Sequence, residues 1–228
     1  MLSITEILIS NEMDLTVVIV SYNVSDLLRN CLRSVYKAVE NIDSEIFVVD
    51  NNSADDSCSM VSREYPGVKL ICNTINAGYA AANNQALRIA GGRYLLLLNP
   101  DTVVTEDALS KSIKFMDSHP DGGALGVKMN DGDGDYLPES KRALPSPASA
   151  FFKSFGFSCI FPDSKYFSRY YLKSVRTDET AKTEVIAGAF MFIRSEVLLK
   201  TGLLDEDFFM YGEDRSEERR VGKECRSR

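Results

Sequence analysis

Residues 94–104, YLLLLNPDTVV, constrain the fold more than any other stretch of this chain. Four consecutive leucines leave no polar face, the pattern of a strand covered on both sides, and parallel sheets bury both faces. The run then stops on Asn99-Pro100-Asp101. In open α/β sheets ligands sit beyond the carboxyl ends of the strands. Asp101 is therefore expected at the lip of a ligand crevice. Alone it would mean little, because aspartate commonly forms the turn after a strand.

The flanking sequence repeats the arrangement. LTVVIV (15–20) predicts a first buried strand ending in Ser21-Tyr22-Asn23. Ser25 is placed to cap a helix in which Leu28, Cys31, Leu32, Val35 and Val39 recur at helical spacing. EIFVVD (45–50) predicts a second strand, NNSADDS a polar turn, 56–65 a short helix and VKLIC (68–72) a third strand. AGYAAANNQALRIA (77–90) reads as a helix with polar residues on its wet face and Gly91-Gly92 as its terminator. Residues 105–119 predict a helix after the leucine strand. This alternation argues for an α/β fold, a mostly parallel sheet flanked by helices. GALGVKM (123–129) predicts a further strand, 130–140 a loop or hairpin, and 141–182 an irregular excursion. Strand, helix and acidic loop follow over 183–214. We read 15–214 as one domain and the basic stretch RSEERRVGKECRSR (215–228) as non-native sequence.

Composition excludes several classes. A net charge of −7 argues against nucleic acid as a partner. No apolar run approaches the roughly 18 residues of a membrane span. The start of the chain lacks a basic segment before its apolar ILI, so it does not read as a secretory signal. Five scattered cysteines without a CxxC spacing fit a reducing cytoplasm better than a disulfide framework. The single histidine, His119, precedes Pro120 at a helix end, which counts against histidine metal sites and a Ser-His-Asp mechanism. A Rossmann dehydrogenase or nucleotidyltransferase would need a glycine-rich loop after the first strand, where this chain has SYNVSD. GDGDYL (132–137) is only a partial match, in a loop.

Five blocks, VVIVSYN, VVDNNSADDS, NAGYAAANNQAL, LLLLNPDTVV and GAFMFIRSEVLLKTGLLDEDFFMYGED, occur in the order and spacing of the family 2 inverting glycosyltransferases. The chain resembles their bacterial rhamnosyltransferase-like branch, in which NPD replaces the DxD motif. The resemblance implies a GT-A fold and transfer of a sugar from a nucleoside diphosphate donor, dTDP-rhamnose or a UDP-sugar. The acceptor would be a hydroxyl of a glycan or lipid-linked saccharide in surface polysaccharide synthesis. A cytoplasmic enzyme, peripherally associated with the inner face of the membrane, is implied with it.

Roles follow from the matched positions. Ser21, Tyr22, Asn23 and Asp50 match base-binding positions, and Asn52 is grouped with them. A carboxylate accepts the ring N–H of uracil or thymine, or the N–H pair of guanine, so Asp50 does not by itself choose the base. Ser53 and Asp55 read as turn formers. Gly78 permits a positive φ, and Asn83 and Asn84 are candidates to donate to phosphate or sugar hydroxyls. Asn99 stands where DxD has its first carboxylate. Asp101 matches the carboxylate that binds Mg²⁺ or Mn²⁺, a hard cation taking oxygen ligands. Gly188-Ala189 matches small positions that let the backbone approach the sugar, while Lys141 and Arg142 read equally as anion contacts or a surface pair. The resemblance makes Asp214 the catalytic base, with Glu213 orienting it or binding acceptor. Arg215-Ser216-Glu217 departs from the family pattern, so the family sequence is expected to be cut at this point. A nucleotide-sugar-binding module without turnover is the competing expectation.

Overall fold

The structure is a computed structural model and describes residues 13–137, 180–183 and 186–207. Its core is a six-stranded sheet in the order β3-β2-β1-β4-β6-β5. The strands are β1 (Met13–Ser21), β2 (Ser44–Asp50), β3 (Lys69–Cys72), β4 (Gly92–Leu98), β5 (Ala124–Leu125) and β6 (Phe190–Arg194). Between and after them run helices α1 (Ser25–Ala38), α2 (Ser57–Glu64), α3 (Tyr79–Leu87), α4 (Ala108–Ser118) and α5 (Ser195–Thr201). β1 pairs in parallel with β2 and β4, and β2 with β3, whereas β6 runs antiparallel between β4 and β5.

The leucine run behaves as its composition dictates. Leu95, Leu96, Leu97 and Leu98 are all buried, as are Val17, Val18 and Ile19 on β1 beside them. α1 buries Leu28, Cys31, Leu32 and Val35, four of the five residues that recur at helical spacing, while Val39 is its half-buried C-cap.

Several expectations are corrected. GALGVKM contributes only Ala124–Leu125 to the sheet. That strand pairs with β6 alone, and an edge strand next to a glycine has little to hold it in register. Gly91-Gly92 does not terminate a helix; α3 ends at Leu87 and Gly92 opens β4. A Cβ on Gly92 would lie 2.5 Å from the Thr16 backbone nitrogen, so the glycine is there to let two central strands approach.

The cysteines are also corrected. Cys58 on α2 and Cys72 at the end of β3 form a disulfide, with Cα atoms 6.5 Å apart and a sequence separation of 14. The α2–β3 connection doubles back and sets the two side by side, which their spacing alone does not reveal. Closing a loop of this length stabilises a chain by about 3 kcal/mol. Reduction, confirmed by mass, is expected to lower the melting temperature by roughly 5–10 °C. An unshifted melt after reduction would show that the bond constrains nothing.

Residues Gly126–Ala187 form a second compact unit. In its described part an antiparallel bridge joins Asn130 to Tyr136. Asp131 Oδ1 accepts the N–H groups of Asp133 and Asp135, a hairpin tip of the expected kind. Among the described residues no helix is long and apolar enough to cross a membrane.

Candidate active site

From β1 the chain builds outward through β2 to β3, then returns to add β4 on the opposite edge of β1. The direction of winding reverses between β1 and β4, and crevices open at such reversals. The register places Ser21 beside Asp50 and Ile19 beside Leu98, so the carboxyl ends of β1, β2 and β4 meet there.

The loops after β1 and β2 are stitched together. Asp50 is buried, and its two oxygens accept the Ser53 N–H (2.8 Å) and the Ser53 Oγ–H (2.6 Å). Asn23 N–H donates to Ser53 Oγ (2.8 Å), and Ala54 N–H donates back to Asn23 Oδ1 (2.7 Å). Asn23 and Asn52 adopt φ of 56° and 66°, a left-handed conformation that asparagine tolerates better than most residues. Tyr22, immediately before Asn23, is half exposed.

Asp55 does more than form a turn. One oxygen accepts the Ser25 N–H at the start of α1 (2.9 Å), and the other accepts the Ser57 N–H and Oγ–H at the start of α2 (3.0 and 2.5 Å). Desolvation opposes its charge, but these donors outweigh it and hold the carboxyl below its ordinary value. Ser25 is thus corrected: it lies inside α1, caps nothing with its side chain, and is itself capped by Asp55. The hydroxyls of Ser21 and Ser25 are buried and have no partner among the described residues.

Gly78 precedes α3 with φ 85° and ψ 171°, a conformation essentially restricted to glycine. Its N–H donates to Asn76 Oδ1 (3.0 Å). Asn83 and Asn84 depart from expectation, because both are buried instead of lying on a wet face. The Asn83 amide donates to the Tyr79 carbonyl (2.9 Å). Asn84 is bound to the segment after α5: its amide donates to the Leu204 carbonyl (2.9 Å) and to Glu206 (2.8 Å), and its oxygen accepts the Leu204 N–H (3.0 Å). Asn84 and Arg88 also hold the Glu206 carboxyl below its ordinary value. These bonds commit the Asn84 carboxamide to joining distant parts of the chain. Nothing in sequence spacing signals a partner 120 residues away.

The Asn99-Pro100-Asp101 turn is anchored from three sides. Thr102 N–H closes it onto the Asn99 carbonyl (3.1 Å). The Asn99 N–H and Thr102 hydroxyl both donate to the Ala189 carbonyl (3.1 and 3.4 Å), because β6 pairs Phe190 with Leu98 and so carries Gly188-Ala189 alongside. From below, the Cys31 thiol donates to the Asn99 carbonyl (3.7 Å). Burial, aided by the charge of Asp101, pushes that thiol up to about 12, so it stays protonated. Among the described residues no atom lies within 4 Å of where a Cβ on Gly188 would stand, so they leave open space beside it. The Tyr79 hydroxyl donates to its carbonyl (3.4 Å).

These contacts close a ring. Loop 21–25 is bonded to 53–55, Asn51 to Asn73 and Gly78, Tyr79 to Gly188, Ala189 to the Asn99 turn, and that turn to α1. Asp101 stands exposed on the ring, its carboxylate taken up by no hydrogen bond among the described residues. No group of three metal-ligating side chains occurs among those residues. A lone exposed carboxylate fits a hard cation that takes its other ligands from diphosphate and water, and does not fit an all-protein cage. Glu213, Asp214, Lys141 and Arg142 lie outside the described residues.

Comparison with known proteins agrees with this geometry. The profile described as Glycosyl transferase family 2 matches residues 16–200. An N-acetylglucosaminyl-diphospho-decaprenol L-rhamnosyltransferase of Mycobacterium tuberculosis is 26% identical over 220 residues, 92% of this chain and 70% of that protein. A poly(ribitol-phosphate) beta-glucosyltransferase of Bacillus spizizenii is 32% identical over 133 residues, 56% of this chain and 21% of that protein. Among solved structures, S. aureus TarS 1-349 superposes with a TM-score of 0.63 at 18% identity, covering 92% of this chain and 55% of that one. The mannosyltransferase PcManGT from Pyrobaculum calidifontis, in complex with GDP-Man and Mn²⁺, gives 0.62 at 20% identity, covering 96% and 56%. The chain thus spans about a fifth of the Bacillus relative and just over half of either solved structure. With the profile matched over most of its length and the sheet shared with these enzymes, the chain belongs to glycosyl transferase family 2 and has the GT-A fold.

Proposed function

We propose that this chain is the donor-binding and transfer domain of an inverting glycosyltransferase of surface polysaccharide synthesis. It would move a sugar from a nucleoside diphosphate, dTDP-rhamnose or a UDP-sugar, to a hydroxyl of a glycan or lipid-linked acceptor. The observation that carries this reading is the ring of loops at the sheet reversal. It sets a buried acceptor, Asp50, and an exposed carboxylate, Asp101, at the ends of strands flanking β1.

In this reading Asp50 takes a ring N–H of the base, with Ser21, Tyr22, Asn23 and Asn52 around it. Open space beside Gly188 admits the sugar. Asp101 would hold Mg²⁺ or Mn²⁺, with Asn99 beside it; the ion would neutralise charge gathering on the diphosphate as it leaves. Asp214, steadied by Glu213, would remove the proton of the attacking acceptor hydroxyl from the opposite face of the sugar.

Calorimetric titration with UDP, dTDP and GDP, with and without Mn²⁺, tests the donor half. One nucleotide is expected to bind more tightly than the others and to need the metal. A folded chain that binds none of them would sink the reading. Asp214→Asn is expected to leave donor binding within about twofold and to cut transfer by a hundredfold or more, the scale of lost general-base catalysis. The ring is complete within residues 21–189, so donor binding without turnover remains the second reading for this polypeptide.

A further inference from the structure

Asp50 accepts an N–H from uracil, thymine or guanine alike, so discrimination between bases has to come from whatever walls the pocket beside it. On the β3 side of Asp50 that wall is the 73–78 loop. Cys72 lies opposite Asp50 in the β2–β3 register, and the Asn73 N–H donates to the Asp50 carbonyl (2.9 Å). The loop therefore leaves the sheet beside Asp50.

One side chain fixes the course of that loop. Asn51 is 3% exposed and lies between the two ends of the loop. Its amide donates to the Gly78 carbonyl (3.1 Å). Its oxygen accepts the Asn73 amide (3.0 Å) and the Ala77 N–H (3.4 Å). Its own backbone N–H donates to the Ser21 carbonyl (2.8 Å), which locks it to β1. The loop would otherwise be free to move: Thr74 and Ile75 at its tip are exposed, and Gly78 at its base has glycine's conformational freedom. A short loop held at both ends by one buried carboxamide has a single geometry, whereas the same loop without it has many.

We infer that Asn51 is a positioning residue that sets base selectivity, by holding the 73–78 loop at a fixed distance from Asp50. It touches no donor atom in this role; it acts through the loop. The inference rests on the donor-site reading above.

The test compares Asn51→Ala and the milder Asn73→Ala with the wild-type chain, each titrated with UDP, dTDP, GDP and inorganic pyrophosphate in Mn²⁺. Pyrophosphate probes the metal and diphosphate end alone. Both variants are expected to weaken the preferred nucleotide, Asn51→Ala, which gives up all three side-chain hydrogen bonds, by about tenfold, the net free-energy scale of a single hydrogen bond. The ratio between best and worst base should shrink by a similar factor while pyrophosphate affinity stays unchanged. Ile113→Ala on α4, a buried substitution on another element, serves as a control that lowers the melting temperature without changing the ratio. If Asn51→Ala does not fold, Asn73→Ala reads the same ratio from the outer side of the contact. Base ratios that stay fixed in every folded variant, with selective binding in wild type, would overturn this inference alone. A wild-type chain that binds no nucleotide would overturn the donor-site reading and this inference with it.

Discussion

Asp101→Ala is expected to reduce nucleoside diphosphate affinity in Mn²⁺ to its metal-free value and to lower sugar transfer by about a hundredfold to a thousandfold, the cost of losing one electrostatic stabiliser of developing charge. The side chain is exposed, and no hydrogen bond among the described residues depends on it. Stability should therefore stay within about 0.5 kcal/mol of wild type, as for most surface substitutions. That separation makes the experiment sharp, because an inactive protein with an unchanged melt has lost chemistry and not structure. Asp101→Asn keeps the size and removes the charge, so it should resemble the alanine variant. Calorimetry with and without Mn²⁺, run beside a transfer assay, reads both effects. If metal-dependent binding persisted in either variant, the cation would have to sit elsewhere.

Gly92→Ala is expected to damage the fold severely for the addition of one methyl group. The added carbon would stand 2.5 Å from the Thr16 nitrogen, 2.7 Å from the Tyr94 carbonyl oxygen and 2.8 Å from the Leu15 carbonyl carbon. All three are backbone atoms of the two central strands, so no side chain can swing aside. Relief requires β1 and β4 to separate where Gly92 N–H also donates to Thr16 Oγ1 (3.0 Å). Overpacking of this kind costs about 3 kcal/mol, or roughly 10 °C in melting temperature for a chain of this size. Thermal unfolding followed by circular dichroism measures it. Gly132→Ala, where no described residue lies within 4 Å of the new carbon, should leave the melt unchanged. Equal melts for the two variants would mean that β1 and β4 do not approach as described.

What was legible in the sequence was the part that depends on local pattern. The buried runs of β1, β2 and β4 and the helical spacing of α1 are properties of consecutive residues, and they read correctly. The positions of Asp50 at the end of β2 and of Asp101 just after β4 read correctly as well, because a buried strand stops where its apolar run stops. Contacts between segments far apart did not read. Asn84 looks like a polar residue on a helix surface until residue 204 arrives beside it. Cys58 and Cys72 look like scattered thiols until the α2–β3 connection folds back. Asp55 looks like a turn former, although its oxygens serve two helices on two different loops. Gly92 was misread for the same reason: its neighbour is β1, which only the pairing supplies.

The position of β6 has a consequence for how such a chain can diversify. β5 meets the sheet only through β6, and β6 is inserted between β4 and β5. The excursion Gly126–Ala187 therefore departs from one strand and comes home on its immediate neighbour. Its ends are pinned at a fixed, short separation whatever lies between them. Lengthening a loop between fixed ends is cheap, about 0.6 kcal/mol for each doubling. The excursion is thus an exchangeable cassette: its sequence and length can drift, and the loops that surround Asp50 and Asp101 keep their places because all of them hang from strands outside it.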